Sequence, residues 1–122
     1  MSLIKVKPDD VAPYSPPGHK NTLNRLLIGP GNGSQNMEVV LGEMKSGGSA
    51  ELHSHSGNEQ AIFVLEGTLL FQTGDDQNIL CPGELMFIPK NARHAVKCVG
   101  GTARFLIVYS PPLSSGEKEV KL

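Results

Sequence analysis

Glycine and proline interrupt this chain at short intervals, and this constrains its fold more than any other feature of the sequence. Fourteen glycines and nine prolines occur among its 122 residues. Such residues end helices and suit the turns between short strands. No window of the sequence shows the apolar periodicity of an amphipathic helix. The chain is therefore predicted to be all-β, folded as a sandwich or a barrel.

Seven apolar runs between these interruptions have the length and composition of β-strands. They are TLNRLLI, MEVVLGEM, AIFVLEG, TLLFQT, LMFIP, HAVKCV and ARFLIVY. The small polar segments PGNGSQN and TGDDQN have the composition of turns. The length of the chain fits a single domain, which we expect to span residues 22–110. Residues 1–21 are predicted to form an N-terminal arm, and residues 111–122 a flexible C-terminal tail.

The charge of the chain is nearly balanced, with eleven basic and twelve acidic residues and a formal net charge of −1. Because the two signs are interspersed, we expect no partner among nucleic acids or anionic membranes. The N-terminus lacks the apolar run of a signal peptide, and no stretch is long enough to span a membrane, so a cytoplasmic location is expected. Cys81 and Cys98 are too few for a secreted disulfide framework and are predicted to be free thiols.

His53 and His55 are separated by a single residue and precede an apolar run. In a strand, residues i and i+2 point to the same face, so the two imidazoles can bind one metal ion. Glu59 and Gln60 follow, and because neighbours in a strand face opposite sides, one of the two at most can join the histidines. His94, which opens a later strand, is a further candidate ligand. Three imidazoles and an oxygen donor suit one divalent Mn, Fe, Ni, Cu, Co or Zn ion.

Two segments of the chain resemble the two motifs of the cupin superfamily. GGSAELHSHSGNEQAIFVLEG resembles the first, G-x5-H-x-H-x3/4-E-x6-G, beginning at Gly47 and closing at Gly67. GELMFIPKNARHAVKC resembles the second, G-x5-P-x-G-x2-H-x3-N, with Gly83 and His94 at the family spacing. Fifteen residues separate the two motifs, as is typical of small microbial cupins. The resemblance covers roughly residues 37–110 and implies a jelly-roll β-barrel with a metal ion near one open end.

The resemblance assigns the family's three histidine ligand positions to the three histidines named above. The family's glutamate ligand falls on Gln60 when counted back from Gly67, but on Glu59 when counted forward from His55. Strand alternation favours Gln60, whereas a Glu59 ligand would need a β-bulge. A glutamine offers a neutral carbonyl oxygen. The ion would then keep more positive charge, attract a carboxylate or enolate, and be held less tightly.

The second motif departs from the family pattern at two positions. Asn91 stands where the family has glycine, and asparagine tolerates a positive φ better than most residues. Cys98 stands where the family has asparagine, and we expect it to be a small buried hydrophobic residue. The same is expected of Cys81, just before the turn at Pro82 and Gly83.

Several side chains outside the motifs are candidates for shaping a pocket. Inward-facing apolar residues would form its walls, and these are Ile62, Val64, Phe71, Met86, Ile88 and Val96. Arg25 and Arg104 lie in apolar strands, where each either clamps a carboxylate substrate or belongs to the solvent face. His19, in the arm, either caps the barrel or is exposed. Glu59, where it is not a ligand, is a rim residue, a partner of the ligands or the candidate general base.

The resemblance implies a metal-dependent enzyme that acts on a small oxygenated molecule, a carboxylate or an enolate. Small cupins include dioxygenases, decarboxylases, lyases and isomerases, and the fold by itself selects none of these reactions. Two alternatives stay open: a cupin that binds metal or a small ligand without turnover, and a degenerate barrel with a structural role. Small cupins frequently dimerise, so a homodimer is expected, with its sheet edges protected.

Overall fold

The computed structural model describes residues 2–113 and, by its backbone, the strand at 119–121. This part of the chain contains β-strands and two short 3-10 turns, at Pro8–Asp10 and Pro30–Asn32, and no α-helix. The strands are β1 (His19–Ile28), β2 (Glu38–His55), β3 (Glu59–Glu66), β4 (Leu69–Thr73), β5 (Asp76–Leu80), β6 (Leu85–Ile88), β7 (His94–Cys98), β8 (Ala103–Ser110) and β9 (Glu119–Lys121). The all-β prediction is confirmed. No helix of the described chain is long and apolar enough to cross a membrane.

The strands form one antiparallel sheet in the order β5-β4-β7-β2-β8-β3-β6, and β1 and β9 also pair with β2. Strand β2 is long enough to serve both halves of the sheet, because its residues 38–44 pair with β8 and its residues 49–53 pair with β7. Between these stretches the chain bends at Gly47, whose φ of 77° favours glycine. The sheet thereby closes on itself around one core, as the jelly-roll prediction required.

All seven predicted strands are present, and the structure adds two more. Strand β5 begins within the segment TGDDQN, which the sequence predicts as a turn. It pairs with β4 across a two-residue turn at Gly74 and Asp75, and four of its five residues are exposed. Strand β9 lies in the predicted tail, the rest of which falls largely outside the described residues. Strand β1 starts at His19, within the predicted arm. The proposed division into arm, barrel and tail remains a prediction.

The core lies between the two halves of the sheet and follows strand alternation. Residues 60, 62 and 64 of β3 and the odd-numbered residues of β8 point inward and are buried. Of the six side chains predicted to face inward, Ile62, Val64, Phe71, Ile88 and Val96 are buried, and Met86 is partly buried against them. Each fully buried side chain of this kind stabilises the fold by about 1.5–3 kcal/mol.

The two cysteines differ in their burial. Cys98 is buried as predicted, its thiol donates to the carbonyl oxygen of Gly101 at 2.8 Å, and burial raises its pKa. Cys81 is exposed, so the prediction of burial was wrong there. The reason is that β5 ends at Leu80, which takes the buried position, and the chain leaves the barrel at the next residue. Both thiols are free, and Asn91 has the expected positive φ, 66°.

Candidate metal centre

Two strands bring the three predicted histidines together at one end of the barrel. His53 and His55 close β2, and His94 opens β7 directly opposite His53 in the antiparallel register. All three side chains are buried, and one ring nitrogen from each can be chosen so that the three lie within 4.8 Å of one another. We call these residues the histidine triad. The spacing of the triad fits a single metal ion, as the sequence predicts.

Hydrogen bonds to the backbone orient two of the rings. Nδ1 of His53 lies 2.6 Å from the carbonyl oxygen of Glu51, and Nδ1 of His94 lies 3.0 Å from that of Ala92. An Nδ1–H that donates to a carbonyl leaves the lone pair of Nε2 free for a metal ion. The two ring nitrogens of His55 are buried with no hydrogen-bond partner among the described residues. A divalent cation would satisfy such an imidazole, so the donor set fits a metal.

Burial also keeps two histidines of the triad in the form that a metal requires. Burial, with a smaller contribution from repulsion by His53, lowers the pKa of His55 and of His94 to about 4. These imidazoles are therefore neutral near pH 7, and the neutral ring is the form that binds metal.

The structure places Gln60 and Glu59 on opposite faces of β3. Gln60 is 5% exposed and lines the barrel cavity, and its Oε1 has no hydrogen-bond partner in the described part of the chain. It stands opposite Tyr109 of β8, whose ring lies 5.5 Å from the ring of His55. Glu59 is exposed. The side of β3 that carries Gln60 is thus the side that faces the end of the barrel holding the triad.

His53 and His94 of the triad, together with Gln60, line a cavity of about 410 Å³ inside the barrel. Its walls are mostly apolar and include Met44, Ile62, Phe71, Val96, Phe105 and Ile107. Residues 14, 16 and 17 of the arm and Leu113 also line the cavity. A cavity of this size and character holds a small organic molecule, with His53, His94 and Gln60 as polar groups to fix its orientation.

The remaining sequence candidates divide between the cavity and the surface. His19 lines the cavity with its ring 6.3 Å from that of His53, and burial lowers its pKa to about 4. Neither candidate arginine lines the cavity as the described residues define it. Arg25 donates from Nε to the carbonyl oxygen of Val11 at 3.1 Å, and Arg104 lies 3.6 Å from Glu66 at the surface. The carboxylate-clamp hypothesis therefore has no support in the geometry.

Sequence reasoning missed several polar residues of the barrel interior. Glu38 is 5% exposed and stands opposite Tyr109 in the register of β2 and β8. Alternation along β2 could have found it, because it shares the parity of the buried Val40. Asn24 is buried and lines the cavity together with Tyr14. No local signal marks Tyr14, since its segment has no strand periodicity. None marks Asn24, one of the polar residues in the run TLNRLLI.

Comparison with known proteins agrees with this architecture. The model of the cupin domain family matches residues 40–109, which include the whole triad. RemF, a polyketide cyclase from Streptomyces resistomycificus, is 31% identical in sequence, with a TM-score of 0.81 over 99% of this chain and 87% of RemF.

Two more distant relatives extend the comparison. A predicted oxalate decarboxylase from Thermotoga maritima shares the fold, at 18% identity and a TM-score of 0.78 over 89% of this chain and all of that one. The uncharacterized protein MJ1618 of Methanocaldococcus jannaschii is 25% identical over 98% of this chain and 96% of its own length. The sequence motifs, the fold and the family match agree, and the chain belongs to the cupin family.

Proposed function

We propose that the protein is a metal-dependent enzyme that activates a largely apolar carbonyl compound for ring closure. The observation that carries this proposal is a triad of buried histidines, two of which, His53 and His94, line an apolar cavity of about 410 Å³ together with Gln60. The similarity to RemF, whose name describes a polyketide cyclase, supports cyclisation over the other reactions of small cupins. The substrate class is then a chain or partly closed ring system with several carbonyl groups.

The triad and Gln60 would hold one divalent transition-metal ion. His53 and His94 offer Nε2, while His55 and Gln60 offer atoms that lack a partner among the described residues. When bound, the ion would act as a Lewis acid toward a carbonyl or enolate oxygen of the substrate. Because Gln60 is neutral, it leaves more positive charge at the centre than a carboxylate would, which favours an enolate over a neutral ketone.

The chain's own residues supply the rest of the environment. The apolar walls exclude water, and a dry cavity strengthens the electrostatic interactions at its polar end. They also restrict a flexible polycarbonyl chain to folded shapes, which brings its reacting carbons together. His19, neutral near pH 7, can accept a hydrogen bond from the substrate within the cavity. Glu59 has no part in this proposal, because its side chain is exposed.

Metal content is the first test, on protein purified without a metal-affinity column. We expect about one transition-metal ion per chain by mass spectrometry in the wild type, and its loss in His94→Ala. Arg104→Gln is the matched control, since Arg104 lies at the surface. A wild type that takes up no metal even after reconstitution would contradict the proposal.

Activation of a carbonyl compound is the second test, with 1-tetralone as the probe. Exchange of its α-protons in D₂O, followed by NMR, should be faster with the metal-loaded wild type than with metal-stripped protein or His94→Ala. A metal-loaded protein that leaves the exchange rate unchanged would favour a cupin that binds metal or ligand without turnover.

A further inference from the structure

Asn24 lines the barrel cavity and has an unsatisfied side chain. It is 6% exposed, and its Oδ1 has no hydrogen-bond partner among the described residues. Leaving a buried polar atom without a partner costs free energy, so such atoms in native proteins generally meet a ligand or water. Asn24 is not part of the triad, and neither cupin motif contains it.

Tyr14 is paired with Asn24 through the backbone. The backbones of the two residues form a β-bridge, with N–H···O distances of 2.9 and 2.8 Å, and both side chains line the cavity. The Asn24 side chain lies close enough to the phenol to lower the pKa of Tyr14, against the larger effect of burial. Burial raises the pKa of Tyr14, so its hydroxyl keeps its proton and can donate.

The strand register separates Asn24 from the triad. Asn24 stands opposite Gly42, which in turn stands opposite Phe105 of β8. Gln60, at the triad's end, stands opposite Tyr109. Four residues along β8 correspond to about 13 Å. Between these levels, Ile107 of β8 stands opposite Ile62 of β3, and both line the cavity, so this stretch of its wall is apolar.

We propose that Asn24 and Tyr14 form a second recognition site, which binds a hydroxyl group at the end of the substrate remote from the triad. Such a hydroxyl would donate to Oδ1 of Asn24 and accept from the hydroxyl of Tyr14. The inference rests on the proposed function, because that function assigns the other end of the substrate to the metal centre. It narrows the substrate to an elongated molecule of two or three rings' length, with oxygen atoms at both ends and an apolar middle.

A pair of probes that differ by one distant hydroxyl tests this site. 1-Hydroxy-2-acetonaphthone carries an adjacent hydroxyl and ketone for the metal centre, and its 6-hydroxy derivative adds a hydroxyl on the other ring. Binding of both to the zinc-loaded and the metal-stripped protein is measured by fluorescence titration. We expect the wild type to bind the 6-hydroxy probe about tenfold more tightly, which is the effect of one or two well-made hydrogen bonds.

Two variants and a control assign this preference to the residues. Asn24→Leu keeps the branched shape of the side chain but replaces its oxygen and nitrogen by methyl groups, and should abolish the preference. Tyr14→Phe keeps the ring, removes the hydroxyl, and should reduce the preference without disturbing the core. If Asn24→Leu fails to fold, Tyr14→Phe alone tests whether this site recognises the hydroxyl. Thr22→Val is the matched control, because Thr22 is buried on the same strand but does not line the cavity. It should keep the full preference.

The outcomes separate this inference from the proposed function. A wild type that binds neither probe, or binds both equally, overturns the inference, as does a preference that survives in both Asn24→Leu and Tyr14→Phe. Failure to load zinc contradicts the proposed function. The comparison of probes in metal-free protein then still decides whether Asn24 and Tyr14 recognise the hydroxyl.

Discussion

Gln60 and Glu59 are neighbours in the chain, yet the barrel gives them opposite surroundings. Side chains alternate along β3, so only one of two neighbouring residues can point into the barrel. Gln60 is buried beside the apolar Ile62 and Val64 of the same face, and Glu59 lies in water. A buried carboxylate at the position of Gln60 would have to be neutralised by a cation or a proton. A buried amide needs only hydrogen bonds or a coordinated ion.

This contrast predicts the response of the metal centre to substitution. Gln60→Ala should weaken metal binding by about tenfold or more, while Gln60→Glu should tighten it because a carboxylate adds an attractive charge. Glu59→Gln should leave the affinity unchanged. Competition against a colorimetric chelator measures all three variants. A loss of affinity in Glu59→Gln with none in Gln60→Ala would identify Glu59 as the ligand instead.

The buried histidines predict how the stability of the metal-free protein depends on pH. The pKa values of His19, His55 and His94 are lowered to about 4 in the fold, against about 6.5 in an unfolded chain. Between these values the unfolded chain binds more protons than the folded one, so the free energy of unfolding falls as the pH falls. Above about pH 7 the contribution of these residues is constant.

Urea unfolding midpoints between about pH 4 and pH 8 test this dependence. His94→Leu removes one of the titrating groups and should make the dependence shallower. A midpoint that stays constant down to about pH 4.5, or equal slopes in the two proteins, would contradict the lowered pKa values.

Strand β2 shows how one element shapes both the core and the site. Its first half supplies Gly42, against which the ring of Phe105 packs, and its last residues supply two histidines of the triad. A Cβ on residue 42 would lie 2.3 Å from Cε2 of Phe105. No contact that close is tolerated, so the ring occupies the space that the missing side chain leaves open. Phe105 lines the cavity from that position.

Gly42→Ala should therefore destabilise the fold by about 1–3 kcal/mol through overpacking. Gly31→Ala is the control, because nothing lies within 4 Å of a Cβ there, and its effect should stay within about 0.5 kcal/mol. Urea denaturation of both variants measures the difference. Adding Phe105→Leu to Gly42→Ala should cost less than the sum of the two single changes. Strict additivity would show that the ring is not the obstacle.

The molecule as a whole leaves an apolar region on the outside of the barrel. Phe63, Leu65, Leu85 and Phe87 are exposed on β3 and β6, and Phe63 stands directly opposite Leu85. Strand β6 ends the main order of the sheet and, among the described strands, pairs only with β3, so its outer edge adds unpaired backbone groups to the same region. Adjacent exposed apolar side chains beside a free edge suit contact with a second protein surface. The expected homodimer stays a prediction.

Substitutions on this face test the dimer. Light scattering coupled to size-exclusion chromatography should give the mass of two chains for the wild type and of one chain for Phe87→Glu. Ile79→Glu is the control, since Ile79 is equally exposed but lies on β5 at the opposite end of the sheet order. A monomeric wild type would contradict the dimer. Dissociation by Ile79→Glu alone would place the interface elsewhere.

Local pattern determined much of this protein. Period-two alternation and glycine turns suffice to predict seven strands, and they place His53 and His55 on one face, because both depend on residues close together in the chain. Contacts between residues far apart in the chain cannot be predicted in this way unless a motif links the residues, as the second cupin motif does for His94.

Only the tertiary structure decided the rest. Strand β5 exists because β4 offers its backbone a partner, although its side chains have no strand pattern. His19 and Asn24 face the cavity because β1 pairs along most of β2, and Tyr14 joins them because the arm pairs with β1. Cys81 is exposed because of where one strand ends. Each of these outcomes depends on pairing between segments whose partners no local sequence pattern specifies.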